Sequence, residues 1–127
     1  MTRERTIAQW FCLVFGALLI LRGTVGVIVD PEFGTPGEGW HQFFHLLSGV
    51  VLVAVWTRPG AALTATLGFA AVYAVVMVAG IVDGSDVFGL IPIEASDNRV
   101  HVTFTVGALA FGIAGLLRRP REIRPAT

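Results

Sequence analysis

Four apolar segments dominate this sequence, and each one is long enough to cross a lipid bilayer as a helix, which takes roughly 20 mostly apolar residues. The segments are residues 7–29, 40–57, 61–82 and 98–117. Hydrophobic residues make up 54% of the chain and charged residues only 14%, whereas about a quarter of the residues are charged in an ordinary soluble domain. We therefore predict an all-α fold, a four-helix transmembrane bundle that forms a single domain over residues 1–127.

The arginines predict how this bundle is oriented. The chain has no lysine, and a four-span arrangement puts most acidic residues in loops 30–39 and 83–97 on one side, with only Arg99 among them. The arginines on the other side are Arg3, Arg5, Arg58, Arg118, Arg119, Arg121 and Arg124. Because positive loops stay in the cytoplasm, we predict cytoplasmic termini and a multi-pass protein of the plasma membrane, in contact with the lipid bilayer. The net charge of zero gives no attraction to nucleic acid.

The two halves of the chain resemble each other at their polar positions. His45 of the first half matches His101 of the second, and His41 matches Asp97. Each half then runs through an apolar segment to an Arg-Pro pair. This pattern predicts two pseudo-repeated helical hairpins related by an axis along the membrane normal.

A family resemblance rests on two short elements and on the sequence around them. They are HQFFHL at residues 41–46 and DNRVH at residues 97–101, the second one closing the longer motif 88–101. With them the chain resembles, over nearly its whole length, an actinobacterial four-span membrane family catalogued as domain of unknown function 4383. Gln42 and Thr105 depart from that pattern, which usually has Asn and Gly there. The resemblance implies four spans and implies no reaction.

Polar side chains at helical spacing form two stripes that descend from the predicted outer surface. Residues four apart share a helix face, and each stripe runs for about two turns, or about 10 Å. Arg22 of the first helix reaches a similar depth, where a charge that faces lipid costs at least about 2.5 kcal/mol. We therefore expect these groups to converge inside the bundle, unless Arg22 extends outward to the surface. The candidate ligand-binding residues are Arg22, His41, His45, Ser48, Asp97, His101 and Thr105.

Four interpretations of the stripes stay open. In the first, a hydrogen-bonded network, Asp97 or Ser96 caps the fourth helix, the histidines pair with Asp97 and with backbone carbonyls, and Arg22 forms a salt bridge to Asp97. In the second, a Zn²⁺ or Cu²⁺ ion is bound by four side chains. In the third, His45 and His101 ligate a haem whose propionate pairs with Arg22. In the fourth, Arg22 holds a lipid or another anionic ligand. The four metal ligands of the second interpretation are His41, His45, Asp97 and His101.

The sequence favours a protein that is not an enzyme, because it has no nucleophile–base pair, phosphate-binding loop or Gly-x-Gly-x-x-Gly motif. Small residues on the third segment (Ala61, Ala65, Gly68) and on the fourth (Ala108, Gly112) allow close helix packing within the chain or with another subunit. We predict a structural or accessory component of a membrane complex without a cofactor, whose partners are other membrane subunits or a second copy. The alternative is a ligand-binding membrane protein with a metal, haem or anionic-lipid site near the outer leaflet.

Overall fold

The structure, a computed structural model, describes residues 4–118 of the chain. Within this range the chain is almost entirely helical, as predicted. The four helices are α1 (Ile7–Val29), α2 (Glu38–Val55), α3 (Pro59–Asp83) and α4 (Ala95–Leu117). The most extensive helix contacts are those of α1 with α2 and of α3 with α4, so the helices pack mainly as two consecutive hairpins.

Three of the four helices, α1, α3 and α4, are long and apolar enough to cross a membrane. Their outward faces carry large apolar side chains such as Ile28, 74% exposed, and Val82, 80% exposed. Apolar side chains in such number on a protein surface indicate contact with lipid tails rather than with water. The chain is therefore a membrane protein.

Helix α2 is the exception among the four. It has 18 residues, which corresponds to about 27 Å, slightly less than the hydrocarbon thickness of about 30 Å. Its first two turns carry Glu38, His41, Gln42 and His45, and these polar residues lower the mean hydropathy of the helix. A fourth span through α2 stays a prediction.

Two long connections meet at one end of the helices, which we call the loop end. They are residues 30–37, before α2, and residues 84–94, before α4. The amide of Gly37 in the first connection donates to the carbonyl oxygen of Leu90 in the second, at 3.0 Å. Because α2 and α4 both start here, the polar first turns of both helices lie side by side at the loop end.

The second connection contains the only regular structure that is not helical in residues 4–118. Strands β1 (Asp86–Val87) and β2 (Ile91–Pro92) pair antiparallel. The side chains of Val87, Ile91 and Ile93 are buried in a small apolar cluster with Val76 of α3. The sequence predicted a plain connection here, whereas these residues fold over the loop end of α3.

Helices α1 and α2 are in direct backbone contact through glycines. A Cβ atom added to Gly49 of α2 would lie 2.6 Å from the carbonyl oxygen of Gly16 and 2.7 Å from the amide nitrogen of Ile20. A Cβ atom added to Gly23 of α1 would collide with the backbone of Leu46. In lipid, where the hydrophobic effect does not drive helices together, such close approach lets van der Waals contact hold them.

The small residues of α4 also pack within the chain. Ala108 is buried, and Gly112 faces the side chain of Leu67 on α3. Gly68 of α3, by contrast, has open space around it. The small-residue face of α4 is therefore used inside the chain, a point that the sequence left open.

We expect Gly23→Ala to destabilise the protein by about 1–3 kcal/mol, the usual range for overpacking a tight contact. Gly68→Ala is the matched control, and alanine is expected to stabilise that helix by roughly 0.5–1 kcal/mol, because the added methyl group meets nothing there. Denaturant titration of the purified variants in mild detergent measures both free energies of unfolding. Equal stabilities would contradict the backbone contact between α1 and α2.

Candidate metal-binding site

Three histidines from two helices meet near the loop end, and we call them the histidine cluster: His41 and His45 of α2, and His101 of α4. They are 4%, 5% and 1% exposed. One ring nitrogen of each lies within 4.8 Å of the corresponding nitrogen of the other two. All three histidines of the chain are thus brought together in one buried place.

The starts of α2 and α4 determine where these histidines lie. His41 and His45 are one turn apart on one face of α2, which begins at Glu38. Helix α4 begins with a capping box, in which the backbone amide of Glu94 donates to Oδ2 of Asp97 at 2.9 Å. The cap fixes the first turn of α4, so His101 lies in its second turn, opposite the two histidines of α2.

The ring of His41 is oriented by a carboxylate. Its Nδ1 lies 3.0 Å from Oε1 of Glu38, to which Gln42 also donates through Nε2 at 2.7 Å. Because an ionised carboxylate only accepts hydrogen bonds, Nδ1 of His41 must carry the proton. Nε2 of His41 then keeps its lone pair, and this nitrogen is buried without a hydrogen-bond partner. A carboxylate on the far nitrogen is the usual support of a metal-binding histidine.

The ring of His45 is oriented by the only tyrosine of the chain. Tyr73 of α3 is fully buried, and its hydroxyl lies 3.2 Å from Nδ1 of His45. The same hydroxyl donates to Oγ of Ser48 at 3.4 Å, and Ser48 donates to the carbonyl oxygen of Phe44 at 2.8 Å. The phenol has one proton, so the tautomer of His45 that fits both contacts of Tyr73 is the one with its proton on Nδ1. This leaves Nε2 of His45 with its lone pair.

His101 is the least satisfied member of the cluster. Its Nδ1 is buried without a hydrogen-bond partner. The ring packs against His41, with the centroids 5.6 Å apart, and against Tyr73, with the centroids 5.8 Å apart. A buried polar atom left unpaired costs about 1–3 kcal/mol, and the cluster contains two such nitrogens.

The arrangement of the rings fits a metal ion. The ring centroids lie 4.8 Å (His41–His45), 5.6 Å (His41–His101) and 6.1 Å (His45–His101) apart. Around an ion with metal–nitrogen bonds of about 2.0 Å in a trigonal arrangement, three imidazole centroids lie about 5.5 Å apart. The nitrogens themselves would approach to about 3.5 Å, which needs only small rotations of the side chains.

Two predicted ligand residues lie outside the cluster. Asp97 holds the capping box of α4 and is not among the side chains within reach of a shared ion. Arg22 is exposed on α1 and forms no salt bridge within residues 4–118. The expected ion pair between Arg22 and Asp97 does not form in the structure, because Asp97 accepts from the amide of Glu94 in the cap of α4. The expected pairing of the histidines with Asp97 does not form either, because His41 contacts Glu38 instead.

The other two predicted residues, Ser48 and Thr105, are supporting residues. Each donates its hydroxyl hydrogen to the carbonyl oxygen four residues earlier in its own helix, Ser48 to Phe44 and Thr105 to His101, both at 2.8 Å. This bond satisfies a hydroxyl in an apolar helix. Ser48 also accepts from Tyr73 and so contributes indirectly to the orientation of His45.

A haem fits this packing poorly. Between His45 and His101 it would have to displace Tyr73, whose ring centroid lies 5.8 Å from that of His101, and Phe104, whose centroid lies 6.2 Å from that of His45. Tyr73 is also stacked on Phe69 at 4.0 Å. An ion needs none of these rings to move, so the geometry favours an ion over a macrocycle.

Sequence reasoning missed Glu38 and Tyr73, the two residues that orient the cluster. Glu38 stands three residues before His41, a spacing that brings side chains together on a helix, but the second segment was predicted to begin only at residue 40. Tyr73 is a lone phenol in a long apolar segment, where its hydroxyl needs a buried partner. Both signals were present in the sequence.

The chain matches the model of one protein family, Domain of unknown function (DUF4383), over residues 33–114. No curated protein and no solved structure matches it. The matched range covers more than half of the chain, and it includes the whole histidine cluster together with Glu38 and Tyr73. The resemblance noted in the sequence is thus confirmed at the level of the family, and the chain belongs to DUF4383.

Proposed function

We propose that this protein is a membrane protein that binds one transition-metal ion through His41, His45 and His101. The observation that carries the proposal is the convergence of three buried imidazoles, with one nitrogen of each within 4.8 Å of the others. Imidazole is a common ligand of zinc and copper ions. Three protein nitrogens are also the ligand number of known metal sites that keep one position open.

The free nitrogens support metal binding over a purely hydrogen-bonded network. In such a network each buried nitrogen would have a partner, yet Nε2 of His41 and Nδ1 of His101 have none. The imidazoles of His41 and His45, whose outer nitrogens contact Glu38 and Tyr73, present their other nitrogens to the cluster as lone pairs. A metal ion accepts all of these lone pairs at once, which a further hydrogen bond within the cluster cannot do.

We further propose that the protein crosses the plasma membrane four times, with the loop end outside and both termini in the cytoplasm. The distribution of arginines supports this orientation. Arg5 stacks on Trp56 after α2, 4.7 Å from its ring centroid, so Arg5 lies at the end of the helices away from the loop end. Arg3, Arg119, Arg121 and Arg124 belong to the same predicted set and lie outside the described residues.

Two parallel contacts support the proposed internal repeat. In the first hairpin, Gln42 stands three residues before His45, and its carboxamide oxygen packs against Gly26. In the second hairpin, Asn98 stands three residues before His101, and its carboxamide oxygen packs against Gly80. In each case a glycine near the end of the first helix leaves room for the amide of the second helix. The accessory role in a larger membrane complex stays a prediction, and it is compatible with metal binding.

We expect the wild-type chain, expressed with zinc and copper supplied and purified in mild detergent, to contain about one ion per chain. His41→Ala, His45→Ala and His101→Ala should each lose nearly all of it, because two imidazoles do not hold an ion tightly. Thr103→Val is the matched control, since Thr103 is an exposed threonine of α4 whose hydroxyl makes the same kind of bond, to the carbonyl oxygen of Arg99, and offers no ligand to the cluster. Elemental analysis of the purified proteins measures the ion content.

Equal metal content in the wild type and in the three histidine variants would contradict the proposal. A wild type without metal after such expression would contradict it as well. Loss in the His45 and His101 variants but not in His41→Ala would contradict the three-histidine site, because the ion would then be held without His41.

Cysteine labelling tests whether α2 crosses the membrane, since α2 is the helix that falls short of the apolar character of a span. On a Cys12→Ala background, Glu32→Cys before α2 should react with a membrane-impermeant maleimide added to intact cells. Thr57→Cys after α2 should react only after the cells are permeabilised, because α2 separates the two positions by a bilayer. Labelling of both cysteines from the same side would show that α2 does not span the membrane.

A further inference from the structure

We infer that the histidine cluster is a site for a monovalent soft ion, cuprous copper, in preference to zinc and other divalent ions. This inference rests on the proposed function and names the ion that the same site takes. Three features of the site lead to it: the number of ligands, their charge and their surroundings.

The first feature is the number of ligands. Within residues 4–118 the cluster contains three histidines and no fourth side chain that could bind the same ion. Asp97 is engaged in the cap of α4. The only thiol, that of Cys12, lies elsewhere, 3.4 Å from the carbonyl oxygen of Ala62. Zinc sites in proteins almost always have four ligands, whereas a d¹⁰ cuprous ion is stable with three.

The second feature is the enclosure of the cluster, which leaves little access for water as a fourth ligand. Each histidine is at most 5% exposed, and none of the three lines the cleft between Glu38 and Asp97 at the loop end or the cleft beside Arg5. Aromatic rings of Phe44, Tyr73 and Phe104 pack around His45. A three-coordinate ion suits this enclosure better than one that must bring a water molecule.

The third feature is charge. The three ligands are neutral imidazoles, and the one carboxylate that contacts them is Glu38, whose side chain is 31% exposed. A monovalent ion with this carboxylate has a net charge of zero, whereas a divalent ion leaves one uncompensated positive charge. The cost of burying an ion rises with the square of its charge, and a buried charge without a partner is expensive.

The geometry also disfavours cupric copper. Cu²⁺ prefers a tetragonal arrangement of nitrogen and oxygen ligands close to one plane. The cluster instead offers three nitrogens, two from α2 and one from α4, and the rings of His41 and His101 are inclined by 70°. Imidazole binds copper well, so the low ligand number and the low compensating charge favour its reduced form.

A competition titration under anaerobic conditions tests the inference on the full chain in detergent micelles. A Cys12→Ala background removes the thiol that could bind Cu⁺ by itself. Cu⁺ is supplied as a complex with bicinchoninate, whose absorbance falls as the protein takes the ion, and Zn²⁺ is titrated against a fluorescent zinc chelator. We expect one Cu⁺ per chain and a Kd at least about 100-fold lower for Cu⁺ than for Zn²⁺.

Two sets of variants locate the bound ion. His45→Ala and His101→Ala should abolish tight Cu⁺ binding. Glu38→Gln should weaken it about 10- to 100-fold, because it removes the carboxylate that orients His41 and compensates the charge of the ion. Glu32→Gln is the matched control, because it removes one exposed carboxylate at the loop end that does not contact the cluster, and it should leave the Kd unchanged.

A Zn²⁺ Kd equal to or lower than the Cu⁺ Kd would overturn the inference and leave the proposed function intact. Tight Cu⁺ binding that survives both histidine substitutions would also overturn it, because the ion would then bind elsewhere. The absence of binding of either ion by the wild type would overturn the proposed function itself.

Discussion

The backbone contact between α1 and α2 is the constraint on which the rest of the structure depends. With glycine at positions 16, 23 and 49, no side chain separates the two helices. The contact fixes the rotation of α2, because Gln42 and Leu46 must face α1. His41 and His45 then lie on another face of α2, where they meet α3 and α4. The position of the histidine cluster thus follows from glycines that do not touch it.

The polar groups of the cluster are held in an environment that gives them few alternatives. In lipid, a buried polar group has no water to bond with, so it either has a hydrogen-bond partner inside the protein or destabilises the fold. Glu38 and Tyr73 satisfy the outer nitrogens of His41 and His45, and these bonds leave the lone pairs pointing away from both partners. Unpaired nitrogens on His41 and His101 weaken the fold unless a ligand engages them. In the proposed metal site these nitrogens are ligands, whereas in a purely structural network they stay unpaired.

Much of the fold was visible in the sequence. The first apolar segment, residues 7–29, has the same bounds as α1, because hydropathy and a capping Thr6 agree there. The predicted start of α2 was two residues too late, because Glu38 and Gly39 are not apolar. The role of Glu38 in orienting His41 was missed for the same reason. Helical spacing suggested that the histidines share faces, but not which faces meet. Arg22 and Asp97 were assigned to the site from their depth in the membrane alone. Depth does not show which way a helix is rotated, and it does not show that the first turn of α4 uses Asp97 as a hydrogen-bond acceptor for its cap.

X-ray absorption spectroscopy at the metal edge of the loaded full-length chain tests most directly whether the three histidines bind one ion. We expect a first shell of three nitrogen atoms at about 2.0 Å, with the multiple-scattering pattern of imidazole rings. A first shell that contains sulfur or carboxylate oxygen, or imidazole scattering from fewer than three rings, would contradict a site built from His41, His45 and His101.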